Sequence, residues 1–377
     1  FWKWLALCEL FHCRFAVGFS LVWWLASGFV GISARLVTGL VLPFALAVVL
    51  HIITPAGVLL FSLAQGHKSF GSTCFLDKLC VHQVDNELKT AGMNSMGDCL
   101  QASRHLTILW SDDYFERLWC VFEIAAFAHS MRESEKSIEF KPLWIPPFLV
   151  GLTACNVLVV MGCAMLLGSP LFYTNFMVLG ESLGLAVVWA VCTIVPGLFI
   201  CSLTRRKLRR VQSLLEWIAT FRIDQTKVTD ERDRRVLYRQ IRRMFGSLTD
   251  FEEYVRTDFR ETVLSAVGRP GATRYEWAFI MYMPYAWFAT VDTTSMLPEG
   301  ITAQLGSANV VKYLSINYGY YISHWCVVGP LVLRGLSLGQ YYSRSLSATP
   351  ALVLDVILYQ LLSFSLNWAL IIVVLSV

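Results

Sequence analysis

The sequence predicts a polytopic α-helical membrane protein of six to seven spans that carries a small cytosolic α/β module. Three observations support this. Hydrophobic residues make up 56% of the 377-residue chain and charged residues only 15%, with a mean hydropathy of +0.55, outside the range of ordinary soluble domains. Apolar runs long enough to cross a bilayer recur along the chain. Between two of these runs, the block from Thr73 to His129 alternates β-favouring stretches with helical periodicity.

The chain divides into five segments. Residues 1–64 hold an N-terminal segment and a membrane hairpin, with spans at Ala16–Ser33 and Leu36–Ala64; the second contains Pro43 and Pro55, which a span tolerates. A cleavable signal peptide is the alternative for the first run, but a second span follows it at once. The numbering opens on Phe1, so further chain is expected upstream. Residues 65–142 form the α/β module, and residues 143–203 a second hairpin, Leu143–Leu167 and Leu183–Leu203, joined by the uncharged GSPLFYTNF. Residues 204–275 are a basic helical segment. Residues 276–377 hold the C-terminal spans, in a series of runs at Tyr275–Val291, Tyr313–Leu333 and Ala351–Val377.

Charge sets the orientation. Placing residues 1–15, 65–142, 204–275 and 334–349 on one side collects every Lys and Arg except Arg35 and Lys312, and the positive-inside rule makes that side the cytosol. The basic segment carries 17 Lys/Arg against 10 Asp/Glu, whereas residues 65–142 carry 8 against 11, so the two pieces are expected to dock. Within the basic segment Leu237, Ile241, Met244, Phe245 and Leu248 recur at helical spacing, as do Phe251, Val255, Phe259 and Val263, and Ser247 to Asp250 reads as a capping-box variant. The cluster Arg205, Arg206, Lys207, Arg209 and Arg210 abuts a span. It reads either as an anionic-lipid contact or as an ordinary stop-transfer cluster. Topology accounts for the charge, so no nucleic-acid partner is expected.

The eleven cysteines lack a CxxC or Cys/His spacing, so no metal site and no disulfide framework is predicted. His51 falls mid-span and reads as a hydrogen-bonded packing residue ahead of an ion-path group. Glu181 and Asp355, near span ends, are expected among lipid headgroups.

In the central block, Thr73–Leu76 and His105–Trp110 read as strands. Thr90–Arg104 and Asp113–Ser130 read as helices, and Ser137–Phe140 as a short further strand. Alternation of this kind implies a parallel sheet with any ligand at the carboxyl ends of its strands, which places Asp77, Ser111 and Asp112 at the rim of a candidate site. Trp119 and Glu123 are four residues apart and stack on one helix face. A carboxylate beside an indole suits ribose binding and offsets an oxocarbenium charge; it equally suits a surface glutamate next to a core tryptophan.

The residues FLDK…LTILWSDDYFERLWCVFEIAAF resemble the middle of a TIR (Toll/interleukin-1 receptor) domain, most closely the TIR-like modules of multi-pass proteins in unicellular algae. The resemblance implies a flavodoxin-like fold, incomplete or split, because two spans stand where the first strand and helix are usual; residues 1–12 would be a remnant of that helix. It implies that Glu123 cleaves NAD at the nicotinamide–ribose bond, with NAD as substrate, Trp119, Asp77 and Ser111 around it, and the loop from Lys78 to Ala91 serving TIR–TIR self-association. The family includes non-catalytic adaptors, so signalling or regulatory assembly, with or without NAD hydrolysis, is the expected role. A channel or transporter regulated by a non-catalytic module, or a degenerate membrane scaffold, is the alternative.

Overall fold

The structure, a computed structural model, describes residues 18–34, 44–55, 57–58, 95–131, 136–167, 181–228, 230–291, 314–316 and 318–375, with scattered positions between 75 and 92. The chain opens with α1 (Gly18–Ala34) and α2 (Phe44–Val48), the latter continued by a π turn, Val49–Ile53. The α/β unit follows as α3 (Met96–Ala102), β1 (His105–Trp110), α4 (Leu118–Met131) and β2 (Ser137–Pro142). Next come α5 (Ile145–Leu167), α6 (Glu181–Ala219), α7 (Glu231–Phe245), α8 (Leu248–Tyr254), α9 (Arg260–Val267) and α10 (Tyr275–Val291). The last two are α11 (Gly329–Tyr342) and α12 (Ala348–Leu375).

β1 and β2 pair in parallel, from His105 opposite Ser137 to Trp110 opposite Pro142. Parallel neighbours require a crossover, which α4 supplies. Alternation along the strands turns Ile108, Trp110 and Phe140 into the core, and α3 closes the far side of α4 with Met96 and Leu100 against Phe127. The helix expected from Asp113 instead begins at Leu118, after a 3₁₀ turn at Tyr114–Glu116. The cause lies far along the chain: Arg117 is extended and bridges Lys227, with the Leu118 N–H donating to the Lys227 carbonyl at 3.0 Å and the Lys227 N–H donating to the Glu116 carbonyl at 2.5 Å. The expected strand Thr73–Leu76 lies outside the described residues except for exposed Phe75.

Among the described residues, three helical stretches are long and apolar enough to cross a membrane: Ile145–Gly162, Leu314–Tyr342 and Ala348–Leu366. Their outward faces carry large apolar side chains such as Leu158, Leu331 and Leu361, and α6 adds Val191, Ile194, Val195 and Phe199. Rows of exposed apolar side chains of this kind suit lipid better than water. α10 is buried on nearly all sides, as an all-round apolar helix must be, and centres the bundle on Trp287. It packs against α5, and α11 approaches so closely that a Cβ at Gly329 would overlap the Tyr282 ring. α1 joins the bundle through the Trp24 indole N–H, which donates to Thr290 Oγ1 at 2.8 Å. α4 is also apolar but short, and the α/β core takes it up.

α6 continues past its apolar half without a break. Its 39 residues span about 58 Å at an α-helical rise, so one rod reaches from the bundle to the α/β unit. Beyond it, α7 is capped by Asp230, whose carboxylate accepts from the Arg232 N–H at 2.8 Å, and ends at Gly246, whose φ of 92° favours glycine. Ser247 caps α8 as expected, accepting from the Asp250 N–H at 3.0 Å. The buried row Phe251, Val255, Phe259, Val263 and Val267 repeats every four residues, a spacing that drifts by about 40° per step on an α-helix. A π turn at Val255–Phe259 takes up part of that drift and keeps the row on one face.

Candidate functional site

The α/β unit is seated on the helices by aromatic side chains. Phe115, in the turn after β1, stacks on Trp217 of α6 at 4.5 Å between ring centroids and meets Phe259 edge-on at 5.9 Å. Phe140 of β2 lies 6.3 Å from Phe115 and 6.2 Å from Phe259, and Trp110 lies 6.0 Å from Phe140. The docking of the two oppositely charged segments is therefore real, but its interior is apolar. An ion pair lies at the rim, where Lys227 and Glu116 meet at 2.5 Å with Lys227 largely in solvent and Glu116 about half exposed.

The candidate site residues fall around this seat. Ser111 follows β1 and its hydroxyl donates to Asp113 at 2.5 Å, while the Tyr114 N–H donates to the Ser111 carbonyl at 2.9 Å, closing the turn that leads into Phe115. Trp119 and Glu123 lie one turn apart at the start of α4 and both are half-buried. The Trp119 indole N–H donates to the Asp233 carboxylate of α7 at 3.2 Å, and its ring meets Phe122 edge-on at 6.0 Å. Trp119 therefore helps hold α4 to the basic segment. Asp77 lies outside the described residues. β2 enters α5 after only Leu143 and Trp144, so the carboxyl end of the parallel pair, the usual ligand end of such a sheet, faces the apolar helices.

A second constellation, missed from sequence, joins α6, α11 and α12. Asp355, expected near a span end, is 1% exposed and is enclosed by neighbouring helices. Arg205 donates to it through Nη2 at 2.6 Å and Nε at 2.7 Å, a bidentate fork, and Gln340 Nε2 donates to the same carboxylate at 3.0 Å. Arg205 also reaches Ser343 Oγ at 3.0 Å, and Gln340 reaches the Cys201 carbonyl at 3.0 Å. The signal was an arginine at the end of one apolar run and an aspartate inside another, but 150 residues separate the partners.

The basic cluster is thereby divided. Arg206, Arg209 and Arg210 face outward, whereas Arg205 and Lys207 face inward. Lys207 Nζ donates to the Ala272 carbonyl at 2.6 Å and to Thr273 Oγ1 at 3.3 Å, and lies 5.2 Å from the Trp277 ring. It makes no ion pair among the described residues, and burial lowers its pKa to about 7. His51 is buried in the bundle with its Nδ1 3.3 Å from Ser27 Oγ, the packing arrangement expected of it. The side chain of Glu181 lies outside the described residues.

Comparison with known protein families, with curated proteins and with solved structures finds no match to this chain.

Proposed function

We propose that the chain is a multi-pass membrane protein of six or seven spans, with a TIR-like, flavodoxin-type module on its cytosolic side that acts in signalling or regulatory assembly. The observation that carries this reading is the course of α6, which runs unbroken from the apolar bundle to Trp217 against Phe115. A change in the bundle can therefore reposition the module without passing through a loop. The loop from Lys78 to Ala91 exposes Val84 at 87% and Leu88 at 56%, apolar side chains that favour module-to-module contact. Cross-linking of the full chain in liposomes tests this. Oligomers are expected in wild type and lost in Val84→Asp with Leu88→Asp; equal monomer in both contradicts assembly through this loop.

NAD hydrolysis is the second reading, favoured by Trp119 and Glu123 lying one turn apart just beyond the end of β1. The bond from Trp119 to Asp233 weighs against an open cleft there and ranks it below assembly. Nicotinamide release by the full chain, abolished in folded Glu123→Ala, would establish it. Absence of release from folded wild type would remove it. The Arg205–Asp355 pair is held by a bidentate fork and by bonds from Gln340 and to Ser343, and we read it as a structural clasp, which favours assembly over an ion path at this pair.

A further inference from the structure

A cleft of about 300 Å³ opens between the edge of β2, α9 and the starts of α5 and α10. Its wall carries Glu139, Lys141, Thr262, Ser265, Arg274 and Trp277. Among the described candidate NAD residues, Ser111, Trp119 and Glu123 do not line it. Its volume lies at the lower end of the range of small-molecule sites, about 300–1,000 Å³, enough for one substituted six-membered ring.

The side chains are of complementary kinds. Lys141 forms no ion pair among the described residues. Arg274 is held over the end of α9, its Nη1 donating to the Ser265 and Ala266 carbonyls at 3.3 Å each, with its guanidinium 6.0 Å from the Trp277 ring. Lys207 lies 5.2 Å from the same ring without lining the cleft, so two basic side chains approach one indole. The Thr262 hydroxyl has only a long, 3.4 Å bond to the Asp258 carbonyl and can turn toward a ligand. Glu139 supplies an acceptor suited to ring hydroxyls, and Trp277 an aromatic edge for an aliphatic ring.

We propose that this cleft binds a phosphorylated cyclic polyol, the chemistry of an inositol phosphate headgroup, with Lys141 and Arg274 on the phosphate and Glu139 on the ring hydroxyls. The position of the cleft at the starts of α5 and α10 favours a lipid as its source. Lys141 precedes α5 by four residues and Arg274 immediately precedes α10, so both cations stand where the chain enters its apolar helices. The lipid assignment rests on the membrane topology proposed above; the polyol phosphate chemistry does not.

The test uses the full chain in phosphatidylcholine nanodiscs with or without phosphatidylinositol phosphate, and separately soluble inositol phosphate, read by displacement of a fluorescent headgroup. Lys141→Met is expected to weaken binding about fivefold, the usual effect of one basic residue at an anionic headgroup, with Lys141→Arg restoring it. Glu139→Gln is expected to reduce the preference for inositol phosphate over inorganic phosphate. The triple variant Arg206→Gln, Arg209→Gln, Arg210→Gln is expected to bind as wild type. Binding of lipid alone identifies a headgroup site, and equal binding of the soluble compound identifies a soluble ligand; both support the cleft. No binding by wild type in either form overturns it, as does loss in the triple variant equal to or greater than loss in Lys141→Met. Release of the protein from membranes by alkaline carbonate would remove the topology while leaving the soluble arm readable.

Discussion

α6 makes two anchoring contacts of opposite physical kinds. Near the bundle, Arg205 reaches a fully buried aspartate of α12 through a bidentate fork. Twelve residues further on, Trp217 offers a flat aromatic face to Phe115. The first contact is directional and permits little error in helix rotation, because a displaced fork leaves a charge buried without a partner. The second gains from area and tolerates small slides. A helix held by a clasp along its length and a seat near its far end fixes the α/β unit on the bundle while leaving the seat freer to slide.

The two contacts should fail differently. Asp355→Ala strands Arg205 in the interior and is expected to cost about 3–5 kcal/mol, measured by denaturant unfolding in detergent. Replacing both partners with Arg205→Met and Asp355→Leu should recover most of that loss, because the pair is stabilised against desolvation only when complete. Trp217→Ala should cost about 3 kcal/mol, the lower end for a large aromatic, since Trp217 is only partly buried. Combined with Phe115→Ala, it should show a coupling of about 1 kcal/mol. Full additivity would mean that the stack contributes nothing beyond area.

A smaller effect comes from Lys207, whose ammonium loses its proton at about 7 in the folded protein against 10.5 in the unfolded chain. Between these values the unfolded chain binds more protons, so stability rises with pH across that window; below pH 7 both states are protonated and the full burial penalty applies. Lys207→Met should flatten the profile from pH 7 upward. The smallest effect is expected for Lys227→Ala, where Lys227 is largely in solvent, Glu116 is about half exposed and no measurable loss should follow. A large loss there would move the seat from aromatic packing to charge.

Much of the architecture is legible from local pattern. The period-four rows of the basic segment, the Ser247 cap, the β2 strand and the α10 boundaries all follow from residues within a few positions of one another. The start of α4 was not legible, because Arg117 is drawn into an extended bridge by Lys227, 110 positions further along the chain. The partner of Asp355 was not legible for the same reason: Arg205 lies 150 positions away in the chain. Within TRRKLRR the sequence shows five cations alike, and only packing separates the outward Arg206, Arg209 and Arg210 from the inward Arg205 and Lys207. Of the candidate site, the proximity of Trp119 and Glu123 was readable from helical spacing, while the Asp233 carboxylate on Trp119 belongs to a helix that pattern alone could not bring there.

The claim that aromatic packing on α6 seats the α/β unit is tested most directly by amide hydrogen exchange of the full chain in nanodiscs, following β1 and β2. Trp217→Ala is predicted to speed exchange across His105–Trp110 and Ser137–Pro142 while leaving α11 and α12 protected, and raised salt is predicted to change neither. Exchange in the strands that accelerates with salt but not with Trp217→Ala would contradict the account.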